Sequence, residues 1–307
     1  MNNSQSTYKK INSNKKVLII GSAVIDVIVD IPAIPNSGED VFAKSDKTIV
    51  GGCAYNVGNI LRQFNSNYDL MIPIGNGSNG KLIKNQMGKD GHNQLLDDLK
   101  EDNGWSLCLV EESGERTFLT VPGIESKWEK EWFRNINIDN YDYIYLSGYS
   151  FESPSAEVLL EALQFINKHA TIIFDPSPRV AEMDANNIKS LLKMKTIIHA
   201  NQDEILKLSK EKNAKNAAIK INKQTSQPVV VTLGSEGTLI AQEGEVEIFP
   251  VKKGPVADTI GAGDSHTAAF IAALLDSQSI ETAGKWGNEI ASKVVQVKGG
   301  NIEIFND

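Results

Sequence analysis

Short apolar runs recur along the chain, each ended by glycine, proline or a polar cluster. The runs at 17–21, 70–74, 143–146, 171–174, 196–199 and 229–232 have the length and β-branched content of buried strands. Between them, apolar residues fall at helical spacing. Helices are predicted from Gly51 through Leu61 and Phe64, and over 156–167, 188–194 and 214–221. A last helix starts near Gly263 and carries Phe270, Ile271, Leu274 and Leu275 on one face. Strands alternating with helices predict an α/β fold, with a mostly parallel sheet and helices on both faces. In such folds ligands sit at the carboxyl ends of the strands. Asp175, Asn201, Glu204 and Gly234 each follow an apolar run directly and therefore share that edge.

Two regions break this rhythm. The segment 24–31 alternates around Asp26 and Asp30, and the residues after it are rich in proline and glycine. Residues 106–110 and 116–121 flank a polar turn and read as a hairpin. Together, about 27–50 and 106–121 are predicted to form a small β lid over the strand ends.

Composition narrows the function. The chain of 307 residues carries 31 basic and 39 acidic residues, a formal charge of −8, which argues against a phosphate-backbone partner such as nucleic acid. Cys53 and Cys108 make no disulfide framework and suit a reducing cytoplasm. No apolar run is long enough to span a membrane. His92, His169, His199 and His266 lack zinc-ligand spacing. Residues 1–16 are rich in Asn, Ser and Lys without an apolar stretch. They read as a disordered tail ahead of one domain at 17–307.

The sharpest motif is Asp258-Thr-Ile-Gly261-Ala-Gly263-Asp264, leading into the last helix. Its glycines permit close backbone approach, and N–H groups at a helix start attract anions. An aspartate there repels phosphate. It makes chemical sense as a general base beside a transferring phosphoryl group, while its bland alternative is a helix cap. A rival phosphate loop exists. Gly75-Asn-Gly-Ser-Asn-Gly80-Lys81 fits the Walker-A pattern, except that Leu82 stands where a hydroxyl should reach Mg²⁺.

Asp-Thr-x-Gly-Ala-Gly-Asp resembles the C-terminal signature of the ribokinase-like, or PfkB, carbohydrate kinases. Further motifs extend the likeness in the right order: Gly21 to Asp26, Gly51-Gly52 with Asn56, Asp175-Pro-Ser-Pro-Arg179, Asn201-x-x-Glu204 and Thr232-x-Gly234-x-x-Gly237. The resemblance implies a ribokinase-like three-layer sandwich with a β lid, and an ATP-dependent sugar kinase. It implies Asp264 as base, with the N–H groups of Gly261, Ala262 and Gly263 as an anion hole. Thr232, Gly234, Gly237 and Asn201, with Asn288 nearby, are implied at ATP. Glu204 is implied at Mg²⁺ through water. Asp26, Gly52, Asn56 and Arg116 are implied at the sugar. Asp258, with the carbonyls of Ile260 and Gly299, is implied at a monovalent cation such as K⁺. The lid strands invite pairing into a homodimer.

The chain also departs from the pattern. Ribokinase itself has Gly-Gly-Lys-Gly-Ala-Asn where this chain has Gly51-Gly-Cys-Ala-Tyr-Asn56. A nucleoside acceptor, cradled by Tyr55, Trp105, Phe118 or Tyr149, and a non-catalytic sugar- or nucleotide-binding protein stay open beside the sugar kinase.

Overall fold

In the computed structural model, which describes residues 7–97, 99–113, 115–299 and 302–305, the apolar runs pair side by side. The strands are β1 (Val17–Ile20), β2 (Val24–Ile31), β3 (Ser45–Gly51), β4 (Tyr68–Met71), β5 (Trp105–Glu111) and β6 (Arg116–Val121). They continue with β7 (Tyr143–Ser147), β8 (Thr171–Asp175), β9 (Thr196–Asn201), β10 (Val229–Thr232), β11 (Thr238–Gln242) and β12 (Glu245–Phe249). The helices are α1 (Cys53–Gln63), α2 (Ser78–Lys89), α3 (Ser155–Leu163), α4 (Ala185–Leu192), α5 (Gln202–Ser209), α6 (Ala214–Thr225), α7 (Ala262–Leu275) and α8 (Ile280–Val294).

The main sheet has the order β12-β11-β10-β9-β8-β7-β1-β4. From β10 to β4 all pairs are parallel; β11 and β12 add an antiparallel edge. Strand residues alternate between two cores. Val17 and Ile19 face a core shared with α1, α2, α7 and α8, while Leu18 and Ile20 face one shared with α3 to α6. This is the three-layer sandwich that the motifs imply.

Helix α7 lies deepest: Ser265 to Leu275 are all buried. Its alanines, Ala268, Ala269, Ala272 and Ala273, admit close neighbours. A larger side chain there would overpack at a cost of about 1–3 kcal/mol. The close packing fixes the helix start, and with it Asp264.

The remaining strands form a separate sheet of order β3-β2-β5-β6, in which β2 and β5 run parallel. It spans slightly more than the expected lid segments. Its root is pinned by Glu125, whose carboxylate accepts the N–H groups of Gly104 at 2.9 Å and Gly123 at 2.8 Å.

The expected tail at 1–16 is corrected in part. Tyr8 and Ile11 are buried, Tyr8 sits edge-on to Phe64 and Phe305, and Ile11 N–H donates to Phe64 O at 2.8 Å. Two apolar side chains in a polar stretch are enough to dock it. Residues 1–6 lie outside the described residues.

Candidate active site

Gly261 stands at the cap just ahead of α7 and takes the left-handed conformation (φ 72°). A side chain at Gly261 or Gly263 would meet nothing within 4 Å, so the helix start faces open space. Ala262 N–H donates to Thr259 O at 3.3 Å. Asp264, in the first turn, stands beside this opening. Asn56 of α1 donates from Nδ2 to Asp264 Oδ2 at 2.7 Å. Burial pushes the Asp264 carboxyl up, against the hydrogen bonds from Asn56 and Cys53.

Asp26 enters from β2. Burial, then the nearby Asp264 charge, raises its pKa to about 6. Its carboxylate explains the paired glycines: a Cβ at Gly51 would lie 2.0 Å from Asp26 Oδ2. Gly52 has φ 103°, and a Cβ there would lie 2.6 Å from Ser22 O. The predicted sugar residues Asp26, Gly52 and Asn56 thus converge on the predicted base.

A cleft of about 160 Å³ opens from this point. Cys53, Tyr149, Asp175, His199, Asn201, Glu204, Thr232, Gly263 and Asp264 are among its lining residues. Asp175 and Glu204 are like-charged neighbours. Burial and then Glu204 push the Asp175 carboxyl well up, and burial raises Glu204 as well. Among the described residues, no lysine or arginine lines the cleft. Crowded hard-oxygen donors without a resident cation fit Mg²⁺.

Asn201 and Glu204 also cap the start of α5 reciprocally. Asn201 Oδ1 accepts Glu204 N–H, and Glu204 Oε2 accepts Asn201 N–H, both at 2.9 Å. The capping box at α5 therefore holds one Glu204 oxygen and sets its direction.

Thr232, the last residue of β10, lies on the cleft wall, and a glycine-bearing loop follows it. Gly234 (φ 58°) is exposed, and Gly237 (φ 99°) passes so close to Phe249 that a Cβ would lie 2.1 Å from its carbonyl. Asn288 sits elsewhere. Its amide is buried under β11, accepting from Thr238 Oγ1 at 2.8 Å and donating to Phe249 O at 2.9 Å. The expected nucleotide contact of Asn288 gives way to this internal pairing.

Arg116 is engaged by the residues ahead of the α7 start. It donates from Nη2 to Asp258 Oδ1 at 2.6 Å and from Nη1 to Thr259 Oγ1 at 3.2 Å. Ile260 N–H reaches the same Asp258 oxygen at 2.8 Å, and Gly299 N–H reaches Oδ2 at 2.9 Å. Although Asp258 is buried, these donors hold its carboxyl below the usual range. With a guanidinium on that carboxylate, the site does not fit a second cation, which corrects the expected K⁺ position.

Some cleft residues carried little signal. Asp175 was placed on the strand edge by its position but not in the site. His199 reads as scattered because its partner is distant in sequence. It pairs through Nε2 with His266 Nδ1 at 2.8 Å, and through Nδ1 with Thr267 Oγ1 at 3.0 Å. Burial lowers the pKa of both histidines, His266 to about 4, so the pair is neutral near pH 7. Cys53 is held as a thiol. Burial, then Asp264 and Asp175, push it well up.

The Walker-like segment is capped from within. The N–H groups of Asn79 and Gly80, at the start of α2, donate to Asp102 at 3.1 and 2.8 Å. A carboxylate of the chain itself fills the place a phosphate would take, and Lys81 is exposed. Lys81→Ala is therefore expected to change nucleotide affinity by less than about twofold in calorimetry. A loss above tenfold would restore the rival loop.

The chain belongs to the pfkB family of carbohydrate kinases, whose model matches residues 14–304. It is 33% identical to the uncharacterized sugar kinase YegV of Escherichia coli, over 95% of this chain and 92% of that one. It is 28% identical to the ribokinase of Arabidopsis thaliana, over 92% and 76% of the two chains. An Arabidopsis thaliana ribokinase structure complexed with ribose and ATP superposes at TM-score 0.76 and 26% identity, covering 94% of each chain. Thermotoga maritima ribokinase shares the fold at TM-score 0.83 and 23% identity, covering 93% of this chain and 94% of that one. The chain is thus a ribokinase-family kinase, a phosphotransferase acting on an alcohol group of a sugar or nucleoside.

Proposed function

We propose that the enzyme transfers the γ-phosphate of ATP to a hydroxyl of a small carbohydrate. The observation that carries this reading is the convergence of Asp26 and Asn56 on Asp264 at the open start of α7. Carboxylate and amide groups match neighbouring sugar hydroxyls. Asp264 takes the proton of the attacking hydroxyl, for which it must be ionised. The backbone at Gly261, Ala262 and Gly263 receives charge developing on the transferring group. Thr232, Gly234 and Gly237 hold the nucleotide. Asp175 and Glu204 would hold Mg²⁺ through water, and that ion would neutralise phosphate charge. Closing the lid excludes water.

The placing of the aromatic residues favours a free sugar over a nucleoside. Of the four aromatic residues considered for a nucleobase, only Tyr149 lines the cleft. Tyr55 is buried with its hydroxyl on Asp90, and Phe118 points outward. The test is ADP release from Mg·ATP over pentoses, hexoses, phosphosugars and nucleosides. Turnover is expected with a free pentose or hexose. Turnover with nucleosides alone, or binding of ATP and sugar without ADP, would replace this reading.

We also infer a homodimer through the lid in a reducing cytoplasm. Phe118 and Leu119 are 59% and 57% exposed on β6, an edge strand of the lid sheet. Exposed apolar edges invite pairing. Phe118→Asp is expected to sediment as a monomer where the parent chain sediments as a dimer; a monomeric parent chain would refute the pairing.

A further inference from the structure

Asp258 opens the loop that forms the anion hole, and its carboxylate accepts from three groups. Ile260 and Gly299 reach it through N–H groups, and Arg116 reaches it with a guanidinium. The pair is sheltered, with 20% of the Arg116 side chain and 6% of the Asp258 side chain exposed. Arg116 begins β6 and so belongs to the lid, whereas Asp258 belongs to the main domain. The Arg116 Nε is buried without a partner among the described residues. Asp258 and Thr259 alone therefore orient the guanidinium.

We propose that Arg116 is the resident cation of the anion-hole loop, so that the enzyme turns over without a monovalent metal ion. This rests on the kinase reading above. The geometry supplies the reason. A buried carboxylate must be paired, and here the pairing charge is covalently part of the chain. An added K⁺ would put a second positive charge on an oxygen that already accepts Arg116 at 2.6 Å. The charge is also delivered by the lid. The loop is neutralised when the lid is seated and left with an unpaired carboxylate when the lid lifts. Arg116 acts through Asp258 and the loop, as a positioning residue, rather than on the reacting atoms.

The test exchanges the protein into tetramethylammonium buffer and adds KCl at constant ionic strength. For the parent chain, kcat is expected to change by less than about twofold, and the melting midpoint is expected to stay put. Arg116→Met is expected to lose about tenfold or more in kcat without K⁺. K⁺ should then restore most of that loss and raise the variant's melting midpoint, because it fills the vacated charge. A purely structural role for Arg116 would not create a potassium response. Activation of the parent chain by K⁺ above about fivefold, with a matching midpoint rise, would overturn the proposal. So would an Arg116→Met variant that keeps full activity without K⁺, or one whose loss K⁺ does not relieve. If the parent chain turns over no acceptor, the kinase reading fails, and the two melting curves still decide whether Asp258 takes K⁺.

Discussion

Asp264→Asn is expected to lower kcat by about a thousandfold, while KM for ATP moves less than about threefold. The substitution keeps size and shape, so the close packing of α7 that fixes the helix start is preserved. What it removes is the proton acceptor. A sugar hydroxyl is far too weak an acid to ionise near neutral pH, so the attacking oxygen needs a base in line with the phosphoryl group. The substitution also weakens a favourable contact, because Asn56 Nδ2 now donates to a carboxylate oxygen and would face a neutral amide in the variant. Burial raises the Asp264 pKa from its ordinary value, against the hydrogen bonds from Asn56 and Cys53. The acidic limb of the kcat profile should therefore lie above the pKa of an ordinary aspartate, with activity falling as pH falls and the base takes up a proton. The residual turnover of the variant should lack this limb. Steady-state kinetics over pH with a saturating acceptor decides the matter. A variant within tenfold of the parent chain would show that another group takes the proton.

How far the sequence foretold this site can be argued from particular residues. The strands that line the site edge were legible because each is short, apolar and followed by a polar residue. That pattern alone puts Asp175, Asn201 and Glu204 at one edge. Asp264 was legible because glycines flank it at a helix start. Three things were hidden. Helix α2 does not stand out, since its asparagines and glycines look like a turn and only Asp102, distant in sequence, caps it. The pairing of His199 with His266 joins β9 to α7 and leaves no local pattern. Arg116 is one charge on a hairpin. Nothing near it in sequence tells that the lid lays it on Asp258. In each case the missing knowledge is a contact between residues far apart in the chain, while the legible parts are set by neighbours a few positions away. The same contrast separates the fold, written in repeated local patterns, from acceptor choice, which depends on how the lid meets the strand ends.

Asp26→Asn is expected to make the protein more stable and nearly unable to hold its acceptor. Burial raises Asp26 from 3.8 to about 6. Between these values the native protein keeps a proton that the unfolded chain has lost. Stability therefore falls as pH rises through this interval, and the deficit is complete at neutral pH. The shift corresponds to about 3 kcal/mol at most, at 1.36 kcal/mol per unit. Asparagine has the same shape and no charge, so it still clears the backbone of Gly51, where there is no room for a side chain. A gain of about 2–3 kcal/mol should raise the melting midpoint by roughly 5 °C. The advantage over the parent chain should shrink below about pH 5, where Asp26 itself is protonated. The cost falls on binding. A carboxylate that accepts from two sugar hydroxyls is replaced by an amide with one acceptor. Loss of a charged acceptor is worth about 1.5–3 kcal/mol, or roughly 10- to 100-fold in acceptor KM. KM for ATP should not follow, because Asp26 lies on β2 and is absent from the lining of the cleft that carries Thr232 and Glu204. Differential scanning calorimetry at pH 5 and pH 7, with acceptor titrations on the same preparation, tests both halves. A variant with an unchanged midpoint would show that the parent carboxylate is not destabilised. One with an unchanged acceptor KM would remove Asp26 from the sugar site. The combination expected here, higher stability with lost affinity, is what a buried charge retained for substrate must produce.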